Sequence, residues 1–106
     1  MPDKDFYITL DEITRIFVYM RTDKSDVKRF VIKLELLINN KWVNIERYDT
    51  HHGHVHKDIL TKSGKKKRSI SYEFLHNKSG VDVAINDFTE NYQICIRRYL
   101  NDWAKK

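Results

Sequence analysis

Apolar residues recur every second position through residues 13–74 and every third or fourth position after residue 79. The first spacing is that of strands with one face turned inward, and the second that of an amphipathic helix. Residues 13–20 (ITRIFVYM) are β-branched and aromatic and predict a strand. Residues 22–26 (TDKSD) carry turn chemistry. Residues 28–38 alternate cleanly. Phe30, Ile32, Leu34, Leu36 and Ile38 share one face, and Arg29, Lys33 and Glu35 the other. Asn39-Asn40 then predicts a two-residue hairpin turn, because asparagine tolerates positive φ. That turn pairs Leu36 with Val43 and Leu34 with Ile45 on the inner face, and places Leu37 beside Trp42 and Val31 beside Tyr48 on the other. Residues 1–11 show no clean period and are left unassigned.

A second hairpin follows. Gly53 breaks or bulges the chain, residues 54–60 form a strand, Ser63-Gly64 turns it, and residues 66–74 return. In this register Ile59 faces Arg68, Lys57 faces Ile70 and Val55 faces Tyr72. Val55, Ile59, Ile70 and Tyr72 make an apolar face, while His54, His56, Asp58, Lys67, Ser69, Ser71 and Glu73 project from the opposite one. Residues 79–106 carry a stripe of Val81, Ala84/Ile85, Phe88, Tyr92, Cys95/Ile96, Tyr99/Leu100 and Trp103, with Ser79 and Asp82 resembling a capping box. The polar side of that helix holds Asn86, Glu90, Gln93, Arg97 and Asn101. The expected fold is α+β, a single domain over residues 1–106. An antiparallel β-meander of about four to five strands is covered by one long C-terminal helix.

Composition narrows the setting. The 106 residues include one cysteine, Cys95, which permits no intramolecular disulfide and reads as helix core. With no signal-like N-terminus and no apolar run of the ~20 residues a bilayer requires, a cytoplasmic protein without a membrane partner is expected. Twenty Lys and Arg against 15 Asp and Glu give a formal charge of +5, which favours anionic partners such as RNA or the ribosome. The charge is concentrated at Lys65, Lys66, Lys67 and Arg68, either a solvated hairpin tip or a phosphate contact surface.

The densest chemistry lies between Arg47 and Asp58, where positions 51–56 hold four of the five histidines. Three readings compete. In acid–base chemistry on a phosphodiester, imidazoles serve as acid and base. Asp49 or Asp58 orients them, and Arg47, Lys57 or Lys67 holds phosphate. In metal binding, His54 and His56 at strand spacing, or His52, His56 and Asp58 together, ligate a divalent ion. In the third reading the segment is a polar loop, with Asp49 capping a turn.

The run Arg47-Tyr48-Asp49-Thr50, then His52-Gly53, then His56-Lys57-Asp58-Ile59-Leu60 resembles the core of small bacterial and archaeal proteins similar to the TumE-like toxins of toxin–antitoxin pairs. Trp42-Val43 and a helix beginning near Asp82 also fit, so that the resemblance spans roughly residues 28–100. It implies a toxin neutralised by a neighbouring helix-turn-helix antitoxin. It also shifts weight from His54 to His52 and His56, which match the pattern together with Arg47, Asp49, Gly53 and Asp58. RNA cleavage follows from the residue chemistry, not from the resemblance. His52 and His56 are the expected acid and base, Asp49 and Asp58 their orienting carboxylates, and Arg47 and Lys57 the phosphate contacts.

Overall fold

The computed structural model describes residues 2–104, with side chains to residue 101. Six strands form one antiparallel sheet in sequence order: β1 (Asp3–Asp11), β2 (Thr14–Asp23), β3 (Asp26–Ile38), β4 (Lys41–Asp49), β5 (Val55–Leu60) and β6 (Lys66–Tyr72). A single 3-10 turn, His51–Gly53, joins β4 to β5. Helix α1 (Asn77–Ala104) follows and packs across β2 to β5, chiefly on β3. The expected α+β meander with a helical cover is present, with one more strand than the upper expectation. The additional strand is β1. It is an edge strand whose residues are mostly exposed, so no burial pressure imposes an alternation to read. Charges at Asp3, Lys4 and Asp5 on that edge oppose pairing with another chain.

The core lies between one sheet face and the helix. Ile16 and Val18 from β2, Phe30, Ile32, Leu34 and Leu36 from β3, and Val55 from β5 meet Val81, Ala84, Phe88, Cys95 and Tyr99. The predicted polar side of the helix, Asn86, Glu90, Gln93, Arg97 and Asn101, is exposed throughout. The helix starts at Asn77 and not Ser79, so Ser79 and Asp82 do not flank its first turn as a capping box. The Asn77 side-chain amide instead donates to the Val27 and Lys28 carbonyls, pinning the helix start to β3. Leu100 is more exposed than its place in the stripe predicts, and the Trp103 side chain lies outside the described residues.

Turn chemistry sets most of the register. Asn39 and Asn40 both take positive φ (52° and 64°), as a two-residue hairpin requires, and pair Leu36 with Val43 and Leu37 with Trp42. The β2–β3 turn is shorter than expected, with Asp23 already paired to Asp26. The second hairpin keeps the predicted pairs Val55–Tyr72, Lys57–Ile70 and Ile59–Arg68.

Two bulges correct the rest. In β4 the register shifts at Leu34, which pairs with Glu46 instead of Ile45, and Ile32 instead of Val31 pairs with Tyr48. An extra residue in one strand reverses the facing of everything beyond it. Ile45 and Glu46 are both buried, Tyr48 turns inward against Phe88, and Arg47 and Asp49 turn outward. In β6 a shift past Ile59 pairs Leu60 with Lys66. This brings Lys66, not the predicted Lys67, to Asp58 at 3.5 Å.

Candidate functional site

The face of the sheet opposite the helix carries the site. The β4 bulge delivers Arg47 and Asp49 to it, and the β4–β5 register sets Asp49 opposite His56 and Arg47 opposite Asp58. Four side chains from two adjacent strands therefore form one polar square. His56 Nε2 is 2.8 Å from Asp49 Oδ1 and 3.7 Å from Asp58 Oδ2. Arg47 bridges the two acids, with Nε 3.2 Å from Asp49 Oδ2 and Nη2 3.2 Å from Asp58 Oδ2. The Ser69 hydroxyl donates to Asp58 Oδ1 at 2.8 Å.

Asp58 is fully buried. Burial by itself raises a carboxyl pKa. Here the Ser69 hydrogen bond and the charges of Lys66, His56 and Arg47 outweigh it and hold Asp58 below the ordinary value. A carboxylate so neutralised is a fixed anchor and not a proton carrier. Asp49 has a different task. Its Oδ1 accepts both from His56 and from the backbone N–H of His51 at 3.0 Å, tying the ring to the loop that follows.

That loop presents the remaining imidazoles. Gly53 N–H donates to the Thr50 carbonyl at 3.0 Å, closing the turn. His52 sits at φ 71° and Gly53 at φ 89°. Lys24, Asn39 and Asn40 also take positive φ, but within tight hairpin turns. His52 takes it in the longer turn that joins β4 to β5, where the backbone sets its ring beside His51. The His52 ring centroid lies 4.2 Å from His51 and 6.4 Å from His56. His51, His52 and His56 line a groove of about 590 Å³ together with Tyr19 from β2 and Arg29 and Lys33 from β3. Arg47 and Lys66 line it as well. Five strands thus contribute, and the cations among their side chains make the groove receptive to an anion.

The predicted residues divide by face. Arg47, Asp49, His52, His56 and Asp58 come together, with Lys66 at the groove rim. Lys57 does not join them. It points to the helix side, where its Nζ is 2.7 Å from Asp87 and 3.2 Å from Glu46, and so it is no phosphate contact of this groove. Lys65, Lys67 and Arg68 are exposed on the β5–β6 hairpin, and Lys67 and Arg68 face a small cleft beside Cys95 and Tyr99. His54 lies 3.4 Å from Ser71, beside the cluster but not lining the groove. Sequence reasoning missed Tyr19, Arg29 and Lys33. Their signal was present in the alternation of β2 and β3, whose outward positions face the same side as Arg47.

A divalent ion would compete with Arg47 for this cluster. One donor atom each of Asp49, His56 and Asp58 lies within 4.8 Å of the others, close enough for a shared ion. Arg47 already supplies the positive charge between the same two carboxylates.

The fold and site define a six-stranded β-meander with a C-terminal helix and a histidine–carboxylate–arginine cluster in an open cationic groove. The chain belongs to the family described as a domain of unknown function, DUF7718, whose model matches residues 1–105. No curated protein and no solved structure matches it.

Proposed function

We propose that this protein is a toxin-type domain that binds RNA and cleaves it by metal-independent acid–base chemistry at His52 and His56. One observation carries the reading. Two imidazoles 6.4 Å apart line one groove, within the same wall of cations. The roles follow from their surroundings. His56 Nε2 meets the Asp49 carboxylate and Nδ1 lies 3.4 Å from the His54 carbonyl, so the ring reaches substrate by exchanging one of these contacts, and it is assigned the acid role. His52 is exposed and serves as the base. His52 takes the proton of the ribose 2′-hydroxyl, and that oxygen attacks phosphorus. The P–O5′ bond breaks as His56 supplies a proton to the departing oxygen. The products are a 2′,3′-cyclic phosphate and a 5′-hydroxyl. Lys66, Arg29 and Lys33 oppose the charge that builds on the phosphoryl oxygens.

Incubation of the purified protein with total RNA, with and without ribosomes, tests this. Fragments ending in cyclic phosphate are expected, with rates unchanged by a chelator and lowered ~100-fold or more in His56→Ala. Intact RNA in both conditions removes the enzymatic reading. Loss of cleavage on chelation reassigns Asp49, His56 and Asp58 to a metal. In the toxin reading, expression alone arrests growth, and a neighbouring gene for a small helix-turn-helix protein relieves the arrest. A second reading, a non-catalytic nucleic-acid or protein adaptor, draws on the exposure of Lys65, Lys66, Lys67 and Arg68 on one hairpin. Neutralising those four then abolishes binding, and histidine changes leave it intact.

A further inference from the structure

The helix covers one sheet face, and among the described residues no element packs on the other. Outward positions of β1, β2 and β4 there carry large aromatic rings. Tyr7 pairs with Phe17 across β1 and β2, their ring centroids 5.3 Å apart, and Tyr19 follows two residues along β2. The Arg15 guanidinium is stacked between Tyr7 and Trp42, 3.9 Å and 4.0 Å from the ring centroids, and bonded to Glu35 at 2.7 Å. Lys33 lies over Phe17 at 5.6 Å. Tyr7 is 54% exposed and Trp42 37%, although both rings are held in place. Apolar rings fixed on an uncovered surface lose little further freedom when a flat ligand stacks on them. The row continues into the groove, because Tyr19 and Lys33 line it with His52 and His56.

We infer that this face is a stacking platform for single-stranded nucleic acid. On it the strand leaves the histidine groove over Tyr19, crosses Phe17 and ends at the Tyr7–Arg15–Trp42 stack. Two features favour this occupant. Alternate residues of a strand lie ~6.7 Å apart, so Tyr19, Phe17 and the Tyr7 and Trp42 rings that flank Arg15 mark out ~13 Å of track with a separate step for each base. The cations that accompany the rings, Lys33 and Arg29, suit a phosphate backbone. A duplex keeps its bases stacked on each other and offers none to these rings, so the platform selects unpaired strands. This inference rests on the proposed RNA reading and supplies its substrate class.

Fluorescence anisotropy with a labelled eight-nucleotide DNA tests it, since DNA lacks the 2′-hydroxyl and reports binding free of cleavage. The single strand is expected to bind more tightly than the duplex of the same sequence. Tyr7→Ala and Phe17→Ala are each expected to weaken it about tenfold, the scale of one lost base–aromatic stack. Tyr7 stands on an exposed edge strand, so its variant keeps the test alive if Phe17→Ala unfolds on circular dichroism. Equal affinity for duplex and single strand overturns the platform, as does binding that survives both substitutions. So does a homodimer by light scattering that Tyr7→Ala dissociates. No nucleic-acid binding by a protein that still cleaves total RNA overturns the platform and leaves the histidine site standing. Binding with no cleavage does the reverse.

Discussion

At the residue scale, the role proposed for His52 and the stability of its backbone pull apart. A side chain in the left-handed region costs ~1–2 kcal/mol. Glycine removes that cost, but it adds ~0.5–1 kcal/mol of chain entropy in the unfolded state. His52→Gly is therefore expected to be neutral to ~1 kcal/mol more stable in urea unfolding, while RNA cleavage falls to the level of His52→Ala. A clear loss of stability would mean that the ring packs as a structural element and not over a groove. Gly80 shows the opposite balance. Alanine gains ~1 kcal/mol of helix propensity. Its added methyl, however, meets Val55 Cγ2 at 2.8 Å and the Phe30 ring at 3.1 Å, and both residues are buried in the core. Overpacking costs ~1–3 kcal/mol, so Gly80→Ala is expected to be destabilising overall, readable as a lower unfolding midpoint.

The sheet and helix are tied at the element scale by a buried polar network. Lys57 on β5 joins Asp87 on the helix and Glu46 on β4. Asp87 also accepts from Tyr48 at 2.6 Å and Asn91 at 2.9 Å, and Arg98 holds Glu46 at 2.8 Å. Burial alone pushes the Asp87 pKa up, but hydrogen bonds from Lys57, Tyr48 and Asn91 bring it below the usual carboxylate value. Burial likewise opposes the Lys57 charge, and Asp87 with Glu46 raises its pKa above the ordinary lysine value. The signs define a window. The lowered acid stabilises the fold above its unfolded pKa, and that contribution is lost as pH falls through the folded one. The raised lysine stabilises below its unfolded pKa and loses that contribution as pH rises through the folded one. Asp87→Asn should thus flatten the fall in stability as pH drops below the ordinary carboxylate value of 3.8, measured by urea midpoints at each pH. Lys57→Met should cost ~2–3 kcal/mol at neutral pH. That is less than the ~3–5 typical of a broken buried pair, because Asp87 and Glu46 keep other partners.

The same elements show what the sequence made legible. Strand faces, the helix stripe and the β5–β6 register from Val55 to Ile59 were readable because burial on one side enforces a period. The site cluster was nameable, yet its geometry was hidden in the β4 bulge. Val43 and Ile45 alternate, but the next inward apolar residue is Tyr48, one place late. That slip is the only local sign of the bulge, and without it Arg47 and Asp49 would point into the core. Lys57 was misplaced for a related reason. Lysine on a strand reads as solvent-facing until the partners that bury it, Asp87 on a distant helix and Glu46 turned inward by the bulge, are known.

The whole molecule is two-sided, with apolar packing and the Lys57 network on the helix face and the histidine groove with its aromatic row on the other. Among its cations, Arg29, Lys33, Arg47 and Lys66 line the groove, and Lys65, Lys67 and Arg68 are exposed on the β5–β6 hairpin. Salt dependence tells which of the two holds an anionic strand. Each phosphate neutralised on a single strand contributes ~−0.7 to the slope of log K against log salt. Arg47 bridges Asp49 and Asp58 at 3.2 Å, while Lys66 keeps only the longer 3.5 Å contact with Asp58, so Arg29, Lys33 and Lys66 are the proposed phosphate contacts and the expected slope is about −2. Arg29→Ala should lower the slope by ~0.7, since it removes one contact without touching the histidines. Replacing Lys65 and Arg68 with alanine should leave the slope within error, because neither lines the groove. Anisotropy titrations between about 50 and 200 mM salt read both variants. If the hairpin pair lowers the slope and Arg29→Ala does not, the strand is held on the tip, beyond reach of both imidazoles.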